Sequence, residues 1–203
     1  MKEVDGPGLI GHMARSTIDG RSMAAEEIEA VVLNVIIGGL DTTQAVFSSV
    51  AVHLGRNPAR SRELAEHPDR IRGATSEYLR VFASAGLTGR RTEQDVTIDG
   101  YEFRAGETVL LFWGATNFDP NFIADPFELH FTRQQPPTLT FATGPHRCLG
   151  QQLAKLELEM LIEKLVSLEG YELIEEEVEA APDVGSVLAY MRVPAKLQGA
   201  AFA

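Results

Sequence analysis

The sequence predicts a mainly α-helical fold with a small β region, and three observations carry that prediction. Apolar residues recur at helical spacing along residues 26–54, 59–82 and 149–168. Short runs of β-branched and aromatic residues flank Asp99-Gly100. Between Asn117 and Pro145 stand Pro120, Pro126, Pro136, Pro137 and Pro145, whose fixed φ and missing amide donors exclude a long regular element. With 44% hydrophobic residues among 203, the chain has enough apolar material for a core.

Ser22 precedes an acidic turn of Glu26, Glu27 and Glu29, which suits the exposed amides and positive dipole end of a helix N-terminus. The helix is expected to pass Gly38 and Gly39 and reach about Leu54, because Ala45, Val46, Phe47, Val50, Ala51 and Leu54 keep its spacing. Gly55 and Pro58 end it. The alternative stops one helix at the glycines and starts a second under Asp41 or Thr42 as cap. A short helix over Ala59–Glu66 follows, and Pro68-Asp69 starts another with Ile71, Ala74, Tyr78, Leu79 and Phe82 on one side. Val96–Ile98 and Tyr101–Phe103 form a tight hairpin around Asp99-Gly100, and Thr108–Phe112 is a further strand. The proline-rich segment meanders. Leu149–Leu168 returns to helix, with Glu157, Glu159, Glu163 and Lys164 toward solvent, and a short β-rich tail closes the chain. Without repeats or Gly/Ser linkers, residues 1–203 read as one unit.

A net charge of −11 argues against a general nucleic-acid binder, since neutralising phosphates requires surplus Lys and Arg. The longest apolar run, Ala30–Ile37, falls short of the ~20 residues that span a bilayer, so no membrane anchor is expected. Met1–Gly11 lacks the pattern of an export signal, and the single cysteine fits a reducing compartment; a cytoplasmic location is expected.

That cysteine, Cys148, lies in Phe141-Ala142-Thr143-Gly144-Pro145-His146-Arg147-Cys148-Leu149-Gly150, a glycine-punctuated loop running into the last long helix. Unpaired amides at a helix start favour an anionic sulfur, and His146 and Arg147 add to the field. The bland alternative is a small core residue.

The spacing of Phe141, Gly144, His146, Cys148 and Gly150 resembles the haem-ligand loop of the cytochrome P450 family. The resemblance runs from about Leu9 onward and implies the C-terminal half of that fold: long central helix, Glu-x-x-Arg helix, β hairpins, meander, cysteine loop and final long helix. The family's N-terminal half is expected to be absent from residues 1–203. By the same resemblance Cys148 is the axial thiolate of haem b, and Gly144 and Gly150 let backbone approach porphyrin and sulfur. Phe141 packs beside the sulfur, and His146 contacts a propionate. Arg90 is the expected second propionate ligand, with Arg91 as its competitor.

Glu77-Tyr78-Leu79-Arg80 matches the family's buried Glu-x-x-Arg ion pair, a structural device whose third partner is His130 or Arg133. Two interior glycines cost a helix about 1 kcal/mol each. The resemblance supplies their reason: Gly38-Gly39-Leu40-Asp41-Thr42-Thr43 matches the family's oxygen-binding groove. Gly39 then lets a ligand lie against the helix, while Thr42 and Asp41 serve proton delivery. Asn117, Asp119, Pro120 and Asp125-Pro126 resemble the bacterial meander, although Phe118 replaces a frequent Arg and Thr138 a common His.

The leading expectation is therefore a haem-thiolate monooxygenase module. It acts on a small hydrophobic substrate lined by the helix before Gly38, Val81–Thr88 and Val187–Tyr190, with electrons from a ferredoxin or other donor docking near Arg147 and Lys155. Exposed apolar faces predict a homodimer or another covering chain. The alternatives are a haem-binding protein limited to gas binding or peroxide-driven oxidation, and a Cys148–His146 thiol hydrolase or structural interaction module.

Overall fold

The computed structural model describes residues 6–133, 138–182 and 189–198. The chain forms two compact units, Met1–Asp41 and Thr42–Ala203. Pro136 and Pro137 of the meander, and Val187 and Leu188 of the expected substrate lining, lie outside the described residues.

The first unit holds α1 (Leu9–Ala14), the strands β1 (Thr17–Ile18) and β2 (Arg21–Ser22), and the beginning of α2 (Ala25–Arg56). Ser22 is not the cap of α2. It pairs with Thr17 in a hairpin whose turn, Asp19-Gly20, takes positive φ at both residues. Glu27 caps instead: its carboxylate accepts the Ala24 amide at 2.7 Å and is gripped by Arg21 at 2.6 and 2.8 Å. Those bonds, Arg21 foremost, hold the Glu27 carboxyl down to about 2.

Helix α2 runs unbroken for 32 residues through Gly38-Gly39. Its two parts differ sharply: residues 33–41 are exposed, whereas Ala45, Val46, Val50, Val52 and Leu54 are buried. Counted as a whole helix, α2 has the length and composition to cross a bilayer, with a mean hydropathy of 1.5 over an 18-residue window. The run Ala30–Ile37, interrupted by Asn34, understates that reach. Only 11% of that window is buried; the residues of α2 that pack in the core, Ala45 to Leu54, lie toward its end.

In the second unit, α3 (Pro58–Glu66), a 3-10 turn (Pro68–Arg70) and α4 (Ile71–Val81) follow. Val46, Val50 and Leu54 of α2, Leu64, and Ile71, Ala74, Tyr78 and Leu79 of α4 join Leu129, Phe131, Leu158 and Ile162 in one core. Strands β3 (Leu87–Arg91) and β6 (Thr108–Phe112) pair antiparallel, as do β4 (Val96–Ile98) and β5 (Tyr101–Phe103) across Asp99-Gly100. Helix α5 (Trp113–Thr116) leads into the meander. Helix α6 (Gln151–Ser167) closes the core, and β7 (Glu172–Leu173), β8 (Glu179–Ala180), β9 (Tyr190–Arg192) and β10 (Ala195–Lys196) form two further ladders, β7 with β10 and β8 with β9.

Candidate functional site

The loop before α6 is a closed turn. Ala142 N donates to Leu139 O at 2.8 Å, Arg147 N to Gly144 O at 3.0 Å, and Cys148 N to Phe141 O at 2.9 Å. Gly144 has a φ of 70°, which glycine adopts at little cost, and it opens a 3-10 turn through His146. Ala142 is less expected: its φ of 55° is left-handed, a conformation costing an L-residue about 1–2 kcal/mol. Phe141, Gly144, His146 and Cys148 thus lie in one closed turn, and Gly150 follows it as the cap of α6. Phe141 packs against the core, while residues 144–150 are exposed.

Cys148 is exposed two residues before Gly150, whose carbonyl accepts the Ala154 amide at the start of α6. It is not the buried core residue of the bland alternative. Arg147 donates from Nε to Gln151 Oε1 at 2.9 Å, so its charge is tied to the helix start beside the thiol. Among the described residues no group of three or more His, Cys, Asp or Glu could hold a metal. An iron already held in a porphyrin would need one protein ligand here, and Cys148 is the exposed thiol that could supply it. The exposed thiol and the glycines beside it fit such a group.

Glu77 and Arg80 form the buried pair expected of them, with side chains 1% and 0% exposed. Arg80 Nε and Nη2 reach the two Glu77 oxygens at 2.9 Å each. Its remaining donors reach Asn117 O at 3.1 Å, Glu128 O at 2.8 Å and Pro126 O, so all five hydrogens of the fork are used. Both candidate third partners take part, in different ways. His130 donates its backbone N–H to Glu77 Oε2 at 3.0 Å, while Arg133 Nε sits 3.3 Å from Oε1, close enough to pair by charge without a directed hydrogen bond. Burial pushes the Glu77 carboxyl up, but these bonds and the two guanidinium charges outweigh it and hold the group below its ordinary value.

Arg90 and Arg91 stand in β3 opposite Val109 and Thr108. Arg90 is exposed and bonds the Gly89 carbonyl, whereas the Arg91 guanidinium lies against the Gly106 turn. Gly39 and Asp41 are exposed on α2 in the first unit, and Thr42 opens the second. A Cβ built on Gly39 meets nothing within 4 Å, so that side of the helix is open.

The sequence reading missed β3, whose Gly-Arg-Arg end has no apolar alternation, and it gave Asn117 no role. Asn117 is fully buried and its side chain joins α4 to residues 138–140. A lone Asn in a proline-rich segment reads as a turn residue; nothing in its neighbours signals burial.

The family model described as Cytochrome P450 matches residues 9–197. The Biotin biosynthesis cytochrome P450 of Bacillus subtilis (strain 168) is 35% identical over 144 residues, which are 71% of this chain and 36% of that protein. The Steroid C26-monooxygenase of Mycolicibacterium smegmatis is 32% identical over 158 residues, 78% of this chain and 39% of that one. Among solved structures, P450BioI in complex with an acyl carrier protein ligated to hexadec-9Z-enoic acid matches with a TM-score of 0.81 and 31% identity, over 87% of this chain and 46% of that one. The chain thus spans less than half the length of these relatives.

Proposed function

This chain belongs to the cytochrome P450 family, and from that premise we propose that it holds haem b on Cys148 and takes part in monooxygenation of a small hydrophobic compound. The observation carrying this reading is the exposed single thiol in a closed turn at the start of α6. When bound, the haem supplies oxygen activation, with electron density pushed from the thiolate.

The chain's own residues would serve that chemistry as follows. Phe141, packed against the core, would sit beside the bound group, and Gly150, whose added Cβ would stand 3.9 Å from the Cys148 sulfur, would keep that side of the thiol clear, with Gly144 letting backbone come close. Arg90 and His146, both exposed, supply positive or hydrogen-bonding groups for propionates. By the family resemblance, Gly39 on α2 would leave room for a ligand, the Thr42 hydroxyl would be the proton donor and the exposed Asp41 would exchange protons with solvent. The exposed Leu33, Val35, Ile36 and Ile37 favour an apolar substrate.

Electrons would come from a ferredoxin or similar acidic donor meeting Arg147 and Lys155. Changing both to Glu is expected to slow reduction by such a donor at low salt; unchanged reduction kinetics would reject that docking face. Leu149, Leu153, Leu156 and Met160 line up as an exposed apolar stripe on and just before α6, so a second copy or another chain is proposed to cover it.

The deciding measurement is the visible spectrum of the reduced carbon monoxide complex. A strongly red-shifted Soret band, absent in Cys148→Ala, is expected; a colourless protein that ignores added haem would end this reading. Light scattering of the same sample is expected to give more than one chain, and a stable haem-loaded monomer would reject the covering partner.

A further inference from the structure

We propose that Asn117 is a positioning residue for the Cys148 loop, holding that turn in register on α4 through Thr138 and Thr140. Its functional meaning rests on the haem-thiolate reading above; its geometry does not. Asn117 is 0% exposed, and its side-chain amide is fully used. Nδ2 donates to Arg80 O at 3.0 Å and to Thr140 Oγ1 at 2.8 Å. Oδ1 accepts from Thr138 Oγ1 at 2.8 Å and from Leu139 N at 3.1 Å. A backbone acceptor faces one end and a backbone donor the other, so the amide has a single satisfactory orientation.

Arg80 itself needs from Asn117 only the main-chain carbonyl, which any residue would offer. The side chain is directed elsewhere, to residues 138–140 and to the α4 backbone. Thr140 extends the link by donating from Oγ1 to Leu79 O at 2.8 Å. The Thr138 and Thr140 hydroxyls also lie 2.7 Å apart, and their two protons fill only two of the three contacts, to Asn117 Oδ1, to Leu79 O and to each other, at a time, which couples the two side chains. From there the loop is two bonds away: Leu139 O takes the Ala142 amide, and Phe141 O takes the Cys148 amide. A shift of residues 138–140 would therefore move the Leu139 carbonyl and, through Thr140, pull on the adjoining Phe141 carbonyl that holds the Cys148 amide.

Amide hydrogen exchange in the full chain tests this directly. In Asn117→Ala the Cys148 amide is expected to lose about tenfold of its protection, and in the volume-conserving Thr140→Val about fivefold, with α3 amides unchanged. Ile162→Ala serves as the control: it destabilises the core from α6 and is expected to spare Cys148. Should Asn117→Ala fail to fold, Thr140→Val decides, because it leaves both Asn117–Arg80 bonds in place. Unchanged protection at Cys148, or a loss shared equally by every amide, would overturn the proposal. The second readout is the Soret band of the reduced carbon monoxide complex of Thr140→Val, expected to gain a component at shorter wavelength; a band identical to that of the parent overturns the positioning role. If the parent chain takes up no haem, the haem-thiolate reading fails while exchange still decides whether Asn117 holds the loop.

Discussion

Replacing Arg80 by Ala is expected to lower the unfolding free energy by about 3–5 kcal/mol, the range for removing one partner of a buried ion pair. Most of that loss is what remains behind. Glu77 would be a buried carboxylate without its fork, and the carbonyls of Asn117, Pro126 and Glu128 would lose a donor together. Domains of this size are stable by roughly 5–15 kcal/mol, so the variant would be marginal. Urea titration followed by far-UV circular dichroism measures it, and a change under 1 kcal/mol would contradict the buried network. Lys is a poor substitute, because its three donors cannot span five acceptor directions. The same pair sets an acid limit. Because the folded Glu77 titrates below its ordinary value, its stabilisation is present above the unfolded carboxylate pKa and lost as pH falls through the lower folded one.

Gly73→Ala should have a comparable effect with the opposite sign from helix propensity. In an exposed helix Ala is favoured over Gly by about 1 kcal/mol. Here a Cβ at position 73 would sit 1.9 Å from the Phe131 carbonyl oxygen, a backbone atom that cannot rotate aside. The meander would have to lift away, yet Phe131 is pinned: its ring lies 5.5 Å from that of Tyr78 and 5.1 Å beneath the Arg60 guanidinium. Overpacking costs about 1–3 kcal/mol, and more where the neighbour is rigid. A fall in Tm of several degrees is expected. A rise would show that α4 and residue 131 do not touch.

Periodicity located α2, α3, α4, α6, β4, β5 and β6 because each carries its own signal: a stripe of apolar residues, a proline start, or Asp-Gly between strands. It could not locate what depends on distant partners. Ser22 looks like a cap until the Asp19-Gly20 turn draws it into a hairpin. Arg90 lies in a strand recognisable only from its partner β6. Within the site, the Cys148 loop and the Glu77–Arg80 pair were legible as motifs of fixed spacing. The left-handed Ala142 and the buried Asn117 were not, since the conformation of one and the burial of the other arise only when the meander closes on α4. His130 and Arg133 could not be separated in sequence because one acts through its backbone and the other through its charge.

The bare middle of α2 carries a cellular consequence. Within residues 33–41, the exposed Leu33, Ile36, Ile37 and Leu40 fall at i, i+3, i+4 and i+7 and form one apolar stripe, with Val35 on another side. Chains with such stretches are held by chaperones, cut by proteases or lost to aggregation in proportion to the time they stay uncovered. A chain that covers this stripe is expected to lengthen the protein's half-life in a pulse-chase, and a half-life indifferent to its supply would count against such pairing.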